Sequence, residues 1–153
     1  MEKLSVNITI KEATFSQTAI QLGIVNEPDA AQMRNMTALA TNIFEPLRKG
    51  LGDNPIHISS FFRCKKLNDA VGGASNSQHV SGQAMDIDND SNPSNKEIFE
   101  YIRDNMEFDQ LINEFPDQYN NPSWVHVSWN ETNNRGNVLT SQKINGETTY
   151  SQL

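Results

Sequence analysis

The sequence predicts an α+β fold: one long helix and two shorter ones packed on a small, mainly antiparallel sheet. Three observations lead there. Met33, Met36, Ala40, Ile43 and Leu47 recur at helical spacing. Residues 84–88 and 124–129 instead alternate apolar and polar at strand spacing. Near the C-terminus, Asn145-Gly146 between β-prone residues signals a hairpin. The 153 residues suit one domain, 1–153, with one sizeable core.

In chain order, Leu4, Val6, Ile8 and Ile10 alternate with polar residues and predict a strand. Thr18–Leu22 reads as a short helical piece ending at Gly23. Asn26-Glu-Pro-Asp29 reads as a helix start with Pro28 in the first turn. The long helix runs from there to about residue 49, and Gly50 and Gly52 close it. Its methionines are read as core packing rather than a metal lining. Ile56–Phe62 reads as a strand, and residues 64–71 as a short helix stopped by Gly72-Gly73. Ala84–Asp88 is a half-buried strand with Ala84, Asp86 and Asp88 on the face opposite Met85 and Ile87. Ser94-Asn-Lys-Glu97 is a capping box that opens a helix carrying Ile98, Ile102 and Met106. Leu111 and Ile112 centre a strand that carries Glu114. On the next strand, Trp124, His126 and Ser128 share one face and Val125, Val127 and Trp129 the other.

Composition excludes several classes. Charged residues make up 20% and apolar ones 36%, a globular rather than disordered balance. A formal net charge of -7 argues against nucleic acid as the partner, because phosphate binding needs a basic surface. No apolar run reaches membrane-spanning length, so no stable membrane insertion is expected. The N-terminus lacks the apolar stretch of a secretory signal, and cytoplasmic synthesis is expected. The single cysteine, Cys64, forms no internal disulfide, and it reads as an inert thiol rather than a nucleophile paired with His57.

The chemistry concentrates in Ser77-Gln-His-Val-Ser-Gly-Gln-Ala-Met-Asp-Ile-Asp88. His79 and Asp86 stand seven positions apart there, with flexible residues such as Gly82 between them. His126 follows forty positions after Asp86. Two imidazoles and a carboxylate make a three-ligand zinc set that leaves a fourth position for water. The spacing is less specific than a compact His-Glu-x-x-His motif. A structural His79, a capping Asp86 and a core His126 are the plain alternative. His57 is either a fourth ligand or an edge histidine. Peptide hydrolysis at zinc needs a carboxylate as general base, and Asp88 and Glu114 are the candidates. Asp88 could instead accept from a ligand histidine, and Glu114 could be a solvated strand-end acid. Arg63 is the candidate cation for a substrate or its developing oxyanion.

The motifs together are more specific. Ser59-Ser-Phe-Phe-Arg63, Leu67-Asn68-Asp-Ala-Val-Gly-Gly73 and Ser77 through Asp86 closely resemble the zinc D-alanyl-D-alanine carboxypeptidase family. So do Phe108-Asp-Gln-Leu-Ile-Asn-Glu114 and Trp124-Val-His-Val-Ser128, and, earlier, Ile20-Gln-Leu-Gly-Ile24 and Ile43-Phe-Glu-Pro-Leu-Arg48. The likeness covers about residues 10–130, leaving 131–153 as a hairpin-like tail without a family counterpart. Within the family it points to phage and bacterial murein peptidases, endolysins among them.

The resemblance implies a fold shared with Hedgehog signalling domains. It implies zinc bound by His79, Asp86 and His126, a substrate oriented by Arg63, and a site lined by Ser77 or Gln78. The implied substrate is the peptidoglycan stem peptide, cut by carboxypeptidase or endopeptidase action. The protein is expected to act as a monomer on the cell wall after release, as phage lysis enzymes do. A non-catalytic, zinc-stabilised wall-binding or virion module is the competing reading. Two departures bear on the choice. Many members carry the catalytic acid three residues before the last histidine, where this chain has Ser123, and Glu114 is the expected replacement. Ser60-Phe-Phe-Arg63 also stands where the family usually has Ser-Gly-Tyr-Arg.

Overall fold

The computed structural model describes residues 2–153. The chain opens on a two-stranded antiparallel ladder, β1 (Lys3–Ser5) and β2 (Ile8–Thr9), rather than one strand through Ile10. The alternation stops because Thr9 caps a helix. Its hydroxyl accepts from the Glu12 N–H, and the Glu12 carboxylate accepts from the Thr9 N–H. Helix α1 is Ile10–Thr14, and α2 is Gln17–Leu22, closed by Gly23 at φ +66°.

The long helix begins at Ala30, because Asp29 is its cap and Gln32 returns a hydrogen bond to the Asp29 N–H. Pro28 therefore lies before the cap, not in the first turn as predicted. From α3 (Ala30–Leu39) the chain passes through a π-helical turn, Ala40–Phe44, into α4 (Glu45–Gly50). Pro46 accounts for the widening: it lacks an N–H, and its ring crowds the carbonyl one turn back. Met36, Leu39, Ala40, Ile43 and Leu47 are fully buried along this helix, so the predicted apolar stripe is the core face. Then come β3 (Ile58–Ser60), shorter than predicted, α5 (Lys65–Ala70), β4 (Ala84–Ile87) and α6 (Asn95–Asn105). Helix α6 carries the predicted Ser94–Glu97 capping box.

The last four strands are β5 (Gln110–Glu114), β6 (Trp124–Ser128), β7 (Asn137–Ile144) and β8 (Glu147–Gln152). The main sheet has six strands in the order β3-β4-β6-β5-β7-β8. It is mixed rather than mainly antiparallel, because β5 and β7 pair in parallel. The 129–136 connection carries the chain past β5, so β7 runs against β6 and with β5. The Asn145-Gly146 turn joins β7 to β8 with φ +53° and +81°, as a tight hairpin requires.

One sheet face packs on the helices. Met85, Ile87, Leu111, Val125 and Val127 are fully buried there in one cluster with Met36, Ile43 and Ile98. The alternate residues, Asp86, Ile112, Glu114 and His126, leave the opposite face. No helix among the described residues is long and apolar enough to cross a membrane.

Candidate metal centre

Asp86 on β4 lies directly opposite His126 on β6 in an antiparallel pair, so both side chains rise from the same sheet face. His79 reaches them from the loop between α5 and β4. Its Nδ1 stands 2.7 Å from the Phe61 carbonyl oxygen. That oxygen can only accept, so Nδ1 carries the proton and Nε2 is left as a free donor of electrons. Nε2 is 3.3 Å from Asp86 Oδ1, and His126 Nδ1 is 3.0 Å from the same oxygen. One ligating atom from each residue falls within 4.8 Å of the others. His79 is buried, and its two partners are half-buried. Burial works against the Asp86 carboxylate, but the two imidazoles outweigh it and hold its pKa well below the usual range. An ionised carboxylate and two convergent ring nitrogens are a donor set that fits a divalent cation.

The cluster lies in an open cleft of about 540 Å³, which Arg63, Ser77, Gln78 and Glu114 also border. The three expected metal ligands, Arg63, Ser77, Gln78 and Glu114 thus share one cavity. The Arg63 N–H donates to the His79 carbonyl at 3.3 Å, tying the two segments together. Burial lowers the pKa of the Arg63 guanidinium, the Asp86 carboxylate opposes that shift, and its buried Nε–H has no partner among the described residues. The Ser77 hydroxyl accepts from the His79 N–H. Gln78 Nε2 donates to Asp109 at 2.9 Å.

Glu114 is buried, not the solvated acid of the plain reading. It pairs with Trp124 across the β5–β6 ladder, while Ile112 pairs with His126. Glu114 is therefore the diagonal neighbour of His126 on the same face, about 7–8 Å away between backbones. Its Oε1 accepts from the Ser141 hydroxyl at 2.6 Å. Burial raises its pKa, against the pull of that hydrogen bond and of His126.

Other candidates lie elsewhere. Asp88 is exposed, and its carboxylate accepts from Asn95 Nδ2 at 3.0 Å. His57 is exposed, with Nδ1 3.1 Å from the Asp88 carbonyl, and it borders a separate cavity that Cys64 does not line. Cys64 precedes α5 and donates its N–H to Asn26 Oδ1. Ser123 is exposed and donates its hydroxyl to the Phe115 carbonyl.

Sequence reasoning missed Arg135, Leu139 and Tyr150, which also border the cleft. The Asn-Gly turn marked the hairpin, but nothing local marks its parallel pairing with β5. Burial raises the Tyr150 phenol, and the carboxylates of Glu114 and Asp86 add to the effect.

The sequence pattern of the family described as Peptidase M15 matches residues 6–128. A stretch of 43 residues is 44% identical to part of the zinc D-Ala-D-Ala carboxypeptidase of Streptomyces albus G. That stretch is 28% of this chain and 17% of that protein, so the chain spans only a small part of the relative's length.

Proposed function

The chain belongs to the peptidase M15 family, and on that premise we propose that it is a zinc metallopeptidase cleaving a peptide bond in peptidoglycan stem peptides. The observation that carries this reading is the convergence of His79, Asp86 and His126 in an open cleft with the Glu114 carboxylate on the same sheet face. His79 through Nε2, His126 through Nδ1 and Asp86 through its carboxylate would hold the ion. When bound, zinc supplies Lewis acidity, polarising the scissile carbonyl and lowering the pKa of a water molecule to about 7.

The protein's own groups do the rest. Glu114 takes the proton as water adds to the acyl carbon, and delivers it to the leaving amine as the C–N bond breaks. Its raised pKa suits both halves of that transfer, because a strongly acidic carboxylate would accept poorly. Arg63, which borders the cleft, orients the substrate carbonyl or carboxylate with its guanidinium. Ser77 and Gln78 line the approach. The competing reading, a non-catalytic zinc-stabilised module, expects a closed fourth ligand such as His57. His57 borders a different cavity, which favours the hydrolase.

The test is turnover of purified muropeptides, followed by product mass. Chelation should abolish turnover and zinc should restore it. Loss of a single terminal residue would mark a carboxypeptidase, and an internal cut an endopeptidase of the endolysin type. Turnover that survives chelation would rule the reading out.

A further inference from the structure

The family match ends at residue 128, but the cleft does not. Strand β7 sets Leu139 beside Ile112, and β8 sets Tyr150 beside Ser141. Both border the cavity, so the C-terminal hairpin is one of its walls. Arg135 borders it too, at the foot of that hairpin.

Arg135 is held there by Asp109, a carboxylate only 3% exposed. Asp109 Oδ1 accepts from the Arg135 Nε–H at 2.9 Å and its backbone N–H at 3.1 Å. Oδ2 accepts from Arg135 Nη2 at 3.0 Å and Gln78 Nε2 at 2.9 Å. A buried acceptor with four donors is a fixed mount, unlike a surface ion pair whose arms must be ordered anew. The Arg135 side chain remains 51% exposed. The mount uses one edge of the guanidinium, and three of its five N–H groups remain for a ligand. Their planar edge matches two carboxylate oxygens better than the single acceptor of a carboxamide.

The sheet register gives the spacing between the metal and the strand row beside the mount. Gln110, next to Asp109, shares a strand face with Ile112 and Glu114. Ile112 lies level with His126, which lies level with Asp86. From the metal row to the Gln110 row is two residues of strand, about 7 Å. Glu114 lies on the other side of that row. An extended peptide advances about 3.3–3.6 Å per residue, so the same length spans about two of its residues.

We propose that Arg135, mounted on Asp109, is a specificity residue that takes a carboxylate of the peptide substrate about two residues from the bond that is cut. This rests on the peptidase reading above. The test measures affinity without turnover. Calorimetry on the zinc-loaded full chain carrying Glu114→Gln would compare a synthetic stem peptide with versions in which each carboxylate in turn is converted to the carboxamide. One of these conversions should weaken binding about tenfold or more. Adding Arg135→Gln should reduce that penalty to within about twofold, whereas a merely structural loss would weaken all peptides alike. Should the Gln variant fail to fold, Arg135→Lys takes its place. A point charge without the planar fork should lose most of the discrimination. An undiminished penalty in either variant overturns the assignment, as does a chain with Arg135 that binds every version equally. Hydrolysis plays no part in this readout. A protein that discriminates but never cleaves sinks the peptidase reading alone, and one that cleaves without discriminating sinks the role of Arg135 alone.

Discussion

Replacing Gly82 with alanine should unseat the loop that carries His79 towards Asp86. The loop rests on α3: Gln32 Nε2 donates to the Val80 carbonyl at 3.0 Å, and Asn35 Nδ2 to the Ser81 carbonyl at 2.9 Å. Gly82 has φ +78°, in the left-handed region, where a side chain costs about 1–2 kcal/mol. A Cβ there would stand 2.6 Å from the Gln32 carbonyl oxygen and 2.8 Å from Met36 Cγ. The first is helix backbone and the second a fully buried side chain, so neither yields freely. Overpacking of that kind adds about 1–3 kcal/mol. The sum, about 2–5 kcal/mol, lowers Tm by roughly 4–20 °C at about 2–4 °C per kcal/mol for a domain of this size. Gly72→Ala is the control: its φ is +75°, but nothing lies within 4 Å of the added carbon. It should show the backbone cost alone. The assay is thermal unfolding of the metal-free chain by circular dichroism. If Gly82→Ala melts no lower than Gly72→Ala, the loop is not braced by α3 in the way described.

Three further outcomes are expected. Glu114→Gln should keep zinc by elemental analysis and lose turnover by about 10²–10⁴-fold; activity within tenfold of the parent would remove Glu114 from the base role. Ser141→Ala deletes a hydrogen bond that lowers the Glu114 pKa, so that pKa should rise further. Since the base must be ionised, the acid limb of the kcat/KM profile should move to higher pH than in the parent, and an unmoved limb would contradict it. The Asp109 pKa is depressed, first by the hydrogen bond from Arg135. Its contribution to stability is therefore present above the unfolded value of about 3.9 and lost as pH falls through the lower folded value. Denaturant titrations of the parent and Asp109→Asn should converge over that acid window, and parallel curves would count against the ion pair.

Legibility in the sequence followed the range of the forces involved. Ser94–Glu97 and Gly23 are local devices, and both lie where the sequence put them. The helical stripe from Met36 to Leu47 was equally plain, because one face repeats over several turns. The π-helical turn was not, since Pro46 forces it only once the chain on both sides is committed to helix. Alternation in 84–87 and 124–128 fixed which side chains share a face, though not which strands would be neighbours. The parallel pairing of β5 with β7 is a non-local choice, and with it went the cleft wall of Arg135, Leu139 and Tyr150. Arg135 in particular carries no local signal, because its meaning comes from Asp109, 26 positions earlier.

The sheet register also bears on which acid of β5 can face the metal row. A side chain on a neighbouring strand faces a metal row only if its position differs from the row's own by an even number. Ile112 is level with His126, so Glu114 meets that condition and Asn113 does not. A slip of one residue would turn Glu114 into the helix-facing core and bring Asn113 out. Leu111, Val125 and Val127, all fully buried on the opposite face, oppose that slip from one side. From the other side, β7 holds Glu114 level with Ser141, whose hydroxyl donates to the carboxylate. Ser123, by contrast, has its hydroxyl turned to the Phe115 carbonyl, and its N–H donates to the Glu114 carbonyl. Ser123 thus serves the backbone of the strand that carries Glu114. The hairpin beyond residue 136, outside the family pattern, thereby helps to orient the carboxylate proposed to move the proton.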